Sequence, residues 1–210
     1  MEKNAEIRWL FFDIGSTLLD EEAAYALRFR EMATAAAVDV EAVRETALSF
    51  WKKGQKGDHA AAAYFGLALP LWHSEAEKPY ADAKATLQTL HRHYQIGIIA
   101  NQKPGAKERL ARHGLLEHVD LLISSGAEGV SKPDPRIFML ALERSGCRPE
   151  QAVMIGDRVD NDILPAKALG MHTVWIRQGF GQYGDIPTEA DITVDNLTEL
   201  LPIFATRKTP

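Results

Sequence analysis

Short, largely apolar runs recur along the chain at Ile7–Phe12, Ile96–Ala100, Val119–Ile123, Val153–Ile155 and Thr173–Ile176, each bounded by polar residues or glycine. They do not alternate between apolar and polar positions, so they predict strands buried on both faces. Helix-length segments lie between or after them, around Pro104–His113, Pro135–Ser145, Asp160–Leu169 and Leu197–Phe204. Regular exchange of strand and helix predicts an α/β fold with a doubly wound, mainly parallel sheet.

Residues 21–78 break this rhythm and show no strand-like run. Tyr25, Phe29, Met32 and Ala36 fall at helical spacing, as do Val40, Val43, Ala47, Phe50 and Trp51, and this predicts an all-helical insertion. Lys52 to Asp58, with glycines at 54 and 57, reads as a loop inside it. The expected division is therefore a core of residues 1–20 plus 79–210 and a helical domain of residues 21–78. That insertion either adds packing or covers a site.

Composition narrows the function. Hydrophobic residues at 46% and charged residues at 25% of 210 residues describe a folded globular protein. A net charge of -5 offers no broad basic field, so neither nucleic acid nor an anionic membrane surface is an expected partner. Cys147 is the single cysteine, which excludes an intrachain disulfide and a cysteine zinc site and fits a reducing cytoplasm. No apolar run approaches the roughly 18 residues of a membrane span, and the start of the chain lacks a signal-peptide pattern.

In an open parallel sheet, ligands bind beyond the carboxyl ends of the strands. The first run ends in Asp13, the second in Asn101 and the fourth in Gly156–Asp157; Ser131–Lys132–Pro133–Asp134 follows a few residues after the third. With Asp162 a helical turn past Asp157, several carboxylates, an amide and a lysine would meet at one rim. Taken singly, each is an ordinary cap, turn or surface residue. Together they suit a hard-oxygen site for magnesium and a phosphoryl group, with one carboxylate as nucleophile.

The segments FFDIGSTLLD, IGIIANQ, GVSKPDPRIF and VMIGDRVDNDILPAKALGM resemble, in order, the four motifs of the haloacid dehalogenase (HAD) superfamily. The resemblance runs from about Ile7 to Trp175 and implies a Rossmann-like core with an inserted helical cap. It implies Asp13 as a nucleophile that carries an aspartyl-phosphate, and Lys132 as the cation bracing it and the phosphoryl group. Thr17 and Asn101 would contact the phosphoryl group beside Lys132. Magnesium would be held by Asp13, the carbonyl of Gly15, Asp157 and, through water, Asp162. The implied substrate is a small phosphorylated metabolite, handled by a monomer or homodimer.

Two positions depart from the family pattern. Phosphatases of the family usually carry a second aspartate, the general acid and base, where this chain has Gly15, and the next position, commonly glycine, is Ser16. Ala100 stands where a serine or threonine hydroxyl is usual, with Asn101 beside it as a substitute donor. Loss of a positioned acid and base removes about 10²–10⁴-fold of rate. Such a loss predicts a preference for leaving oxygens already stable as anions and a long-lived covalent intermediate. His59, His73, Lys52, Lys56 and Arg158 are the candidate replacements. The other readings are a catalytically weak binding or regulatory protein, a dehalogenase, or a phosphonatase using Lys52, Lys53 or Lys56.

Overall fold

A computed structural model describes residues 6–183 and 189–205; the outermost ends of the expected core, 1–5 and 206–210, lie outside the described residues. In chain order the strands are β1 (Trp9–Phe12), β2 (Leu19–Asp20), β3 (Lys78–Pro79), β4 (Gln95–Ala100), β5 (Leu121–Ser124), β6 (Ala152–Gly156), β7 (His172–Ile176) and β8 (Ile192–Val194). The helices are α1 (Glu22–Ala36), α2 (Val40–Trp51), α3 (Gly57–Tyr64), α4 (Ala83–Leu90), α5 (Ala106–Arg112), α6 (Ser125–Glu128), α7 (Pro135–Ser145), α8 (Leu164–Ala168) and α9 (Leu200–Phe204).

Six strands form a parallel sheet in the order β5-β4-β1-β6-β7-β8. All four residues of β1 are buried, and alternate side chains serve opposite faces. Leu10 and Phe12 join one core with Ile96, Ile98, Val153 and Ile155, covered by α4, α5 and α9. Trp9 and Phe11 join the other with Ile99, Ile123 and Met154, covered by α7 and α8. This two-sided burial is why the runs lack alternation.

After β1 the sheet grows outward through β4 to β5, and after β6 it grows the other way through β7 to β8. The strand order therefore reverses between β1 and β6, and a crevice opens at their carboxyl ends.

The insertion contains α1, α2 and α3, with their own core of Phe29, Met32, Val43, Ala47, Ala61 and Ala62. Antiparallel pairing of Leu19 with Pro79 and Asp20 with Lys78 closes its base. Lys78, which the sequence assigns to the insertion, thus belongs to this ladder. The expected loop is also shorter, since Gly57 and Asp58 begin α3 and the Asp58 carboxylate is buried against Arg28 at 2.5 Å. Trp51 stacks on Phe180 of the core with centroids 3.9 Å apart and planes at 5°.

Other departures have local causes. The expected strand from Val119 begins at Leu121 because Val119 closes a 3-10 turn by donating to Leu116. The helix expected over Asp160–Leu169 is split into a π-helical segment, Val159–Ile163, and α8. That segment turns Asn161, Asp162 and Ile163 inward, a distortion common at functional sites.

Candidate active site

Asp13 follows β1 directly, and Asp157 follows β6 directly, on the two sides of the reversal. Asp162 is delivered by the π-helical segment, where its carboxylate accepts from the Arg158 backbone N–H at 3.0 Å. Gly156 must lack a side chain, because a β-carbon there would lie 2.5 Å from Asp162 Oδ2. The three carboxylates offer oxygens all within 4.8 Å of one another.

Lys132 reaches the same point from the loop before α7. Its Nζ donates to Asp13 Oδ1 at 2.7 Å and to Asp162 Oδ1 at 2.5 Å, and the side chain is only 2% exposed. The loop is anchored at both ends. Asp134 caps α7 by accepting from the Arg136 N–H at 2.9 Å, and Pro135 begins the helix. Asn101, just beyond β4, donates to the Lys132 carbonyl and accepts from its N–H, both at 2.8 Å. Asn101 thus orients the lysine. Asn101→Ala is expected to destabilise the protein by about 1–3 kcal/mol, two hydrogen bonds at about 0.5–1.5 kcal/mol each. Urea unfolding measures this, and a loss below ~0.5 kcal/mol contradicts the clamp.

The electrostatics are strained in one direction. Burial, then the neighbouring Asp162, Asp13 and Glu21 charges, pushes Asp157 well above the usual carboxylate range. Burial pushes Asp162 up to about 6 despite the opposing pull of Lys132. Burial acts to lower Lys132, yet Asp13 and Asp162 overcome it and raise the ammonium above its ordinary value. Lys132 pairs with two of the three clustered carboxylates, Asp13 and Asp162, and a divalent cation with a preference for oxygen ligands fits the remaining excess of negative charge.

The remaining expected residues divide. Thr17 is buried, and its hydroxyl points at Asp157 Oδ1 from 3.4 Å, so it supports a carboxylate. Ala100 is fully buried within the core. Lys52, Lys56, His59 and Arg158 line the cavity above Asp13, whereas His73 is held by Glu31 and Glu75 at 2.9 and 3.0 Å and does not line it. Arg158 is committed to Asp160.

That cavity, about 1110 Å³, lies between the insertion and the sheet edge. Tyr25, Trp51, Trp72 and Phe180 form an aromatic wall, with the Arg28 guanidinium 4.6 Å over Trp72. The sequence reading missed one group here. Glu21, between β2 and α1, faces the cavity, accepts from Arg109 at 2.9 Å and from the Ser16 hydroxyl at 3.2 Å. Arg109 also binds Glu77 through two of its nitrogens. Burial raises the Glu21 carboxyl to about 7 against the opposing effect of Arg109.

Residues 7–170 match a family model described as haloacid dehalogenase-like hydrolase. Glyceraldehyde 3-phosphate phosphatase of Pyrococcus furiosus is 37% identical over 128 residues, 58% of this chain and 52% of that protein. Phosphoserine phosphatase of Thermus thermophilus is 31% identical over 188 residues, 87% of this chain and 68% of that protein. The match therefore spans about half the length of the first relative and about two thirds of the second. Among solved structures, a HAD phosphatase from Thermococcus onnurineus superposes with a TM-score of 0.71 at 27% identity, covering 97% of this chain and 100% of that one.

Proposed function

The chain belongs to the haloacid dehalogenase-like hydrolases, and from that premise we propose that it is a magnesium-dependent phosphatase acting on a small phosphorylated metabolite. The observation that carries this reading is the lysine bridge. Lys132 joins Asp13 and Asp162 beside Asp157 at the point where the strand order reverses.

Lys132 holds Oδ1 of Asp13 and leaves Oδ2 as the attacking atom. Its bond to phosphorus forms as the bond from phosphorus to the leaving oxygen breaks, giving an aspartyl-phosphate and a leaving oxygen that takes up a proton to become the alcohol. Water then attacks the same phosphorus, releasing inorganic phosphate and regenerating Asp13. Asp13, Asp157, Asp162 and the Gly15 carbonyl would hold magnesium, which when bound supplies charge neutralisation for the phosphoryl oxygens. Lys132 adds a fixed positive charge, buried where water does not weaken it. Asn101 keeps that lysine in place, and its backbone N–H is the donor assigned to a phosphoryl oxygen in place of the hydroxyl absent at Ala100.

Residues 21–78 serve as the lid over a core of residues 1–20 and 79–210, excluding water and selecting the substrate through the aromatic wall. A metal-free dehalogenase would have no need for three clustered carboxylates, which favours the phosphatase reading. Phosphate release from a panel of esters is expected with magnesium and is expected to vanish on chelation, with return on readdition. Turnover that is indifferent to chelation would defeat this reading.

A further inference from the structure

An alkyl leaving oxygen needs a proton as its bond to phosphorus breaks, and the attacking water must later lose one. The carboxyls beside Asp13 are few. Asp157 and Asp162 belong to the cation cluster, Asp58 is paired with Arg28, and Asp160 with Arg158. Glu108 and Glu189 also line the cavity and are exposed; Glu21, itself paired with Arg109, is set apart by its placement. A β-carbon at Gly15, two residues from the nucleophile, would lie 2.5 and 2.7 Å from the two Glu21 carboxylate oxygens. Glu21 therefore fills the space that a side chain at 15 would occupy.

The backbone is built around this packing. Gly15 has no left-handed conformation, whereas Ser16 does, at φ 55°, a region that L side chains rarely adopt. That conformation accompanies the Ser16 hydroxyl bond to Glu21 Oε2. Arg109 holds the other oxygen, so the carboxyl is fixed from both sides, and its side chain keeps 11% exposure on the cavity it shares with Asp13.

We infer that Glu21 is the catalytic acid and base of this site, delivered from the base of the insertion into the space left open by Gly15. This inference rests on the phosphatase reading. In the first step the Glu21 carboxyl gives its proton to the leaving oxygen as Asp13 bonds to phosphorus. In the second the Glu21 carboxylate takes a proton from water as the water oxygen bonds to phosphorus and the bond to Asp13 breaks. The cycle ends with Glu21 protonated and Asp13 free. The preference for activated leaving groups expected from Gly15 alone is accordingly a property of Glu21 variants, and the unmodified enzyme accepts alkyl esters.

The test is a leaving-group series run from nitrophenyl to alkyl phosphates with magnesium, on the wild type and Glu21→Gln. Glu21→Gln is expected to lose about 10²–10⁴-fold on alkyl phosphates and at least ~10-fold less on the nitrophenyl ester, so the dependence steepens. A second pair reads the shared space. Gly15→Asp alone is expected to lose activity by colliding with Glu21, and Gly15→Asp combined with Glu21→Ala is expected to exceed Glu21→Ala alone on alkyl esters. An equal loss on every ester in Glu21→Gln, or no loss, assigns Glu21 a structural role and overturns the inference. If Glu21→Gln does not fold, the Gly15 pair decides. A wild type that cleaves no ester, or one whose activity survives Asp13→Asn, overturns the phosphatase reading, and the assignment of Glu21 falls with it.

Discussion

Asp13→Asn is expected to lower phosphate release by on the order of 10⁴-fold or more, the scale seen when a covalent nucleophile is removed. The amide keeps the size of the carboxyl and can still accept from Lys132, whose Nζ lies 2.7 Å from Asp13 Oδ1. It cannot attack phosphorus usefully, and no covalent intermediate should appear by intact mass. The effect on folding runs the opposite way. Asp13 is one of the charges that, after burial itself, push Asp157 and Asp162 upward. Removing its charge relieves a crowded cluster, so the metal-free variant is expected to melt no lower than the wild type. A variant within about tenfold of wild-type turnover, against the on-the-order-of-10⁴ loss expected, would show that Asp13 is not the nucleophile.

Lys132→Met is expected to fail in both respects. Its side chain is 2% exposed and stands between Asp13 and Asp162, themselves 14% and 1% exposed. Removing one partner from a buried ionic cluster typically destabilises by about 3–5 kcal/mol, because the remaining charges lose compensation. Loss of a fixed charge aimed at the transferring group costs about 10²–10³-fold in turnover. Urea unfolding reads the first effect and ester hydrolysis the second. Adding Asp162→Asn to Lys132→Met should recover part of the stability and none of the activity, since the two residues share one interaction and their effects do not add. A destabilisation under ~1 kcal/mol, against about 3–5 expected, would mean that Lys132 is not a structural counter-charge.

The parallel sheet was legible because its strands are buried on both faces. Phe11 and Phe12 serve opposite cores, so both positions must be apolar. Asp13, Lys132, Asp157 and Asp162 were legible through their place after strands. What escaped were short elements and long-range packing. The helix Ala83–Leu90 buries Ala83, Thr86, Leu87 and Leu90, a helical spacing carried by only two turns, with a polar threonine among the buried positions. β8 has three residues and β2 and β3 two each, too few for periodicity to appear. The expected donor role of the Asn101 side chain could not be separated from its bonds to Lys132, 31 residues away. Glu21 looks like an ordinary first-turn acid in Asp20–Glu21–Glu22. Its approach to Gly15, six residues earlier, and its bond to Arg109, 88 residues away, distinguish it from its neighbours.

The two-rung ladder at the base of the insertion has a practical meaning for anyone exchanging modules between related proteins. Glu21 and Glu77 sit just inside that ladder, next to Asp20 and Lys78, while Arg109, which both acids bind, belongs to α5 of the core. A chimera spliced at the ladder would carry both acids away with the donated lid and leave behind a guanidinium 9% exposed with its neutralising neighbours gone. Splicing beyond Glu21 and before Glu77 keeps that triad whole, so the sensible junctions are set by charge balance rather than by the visible edge of the helices.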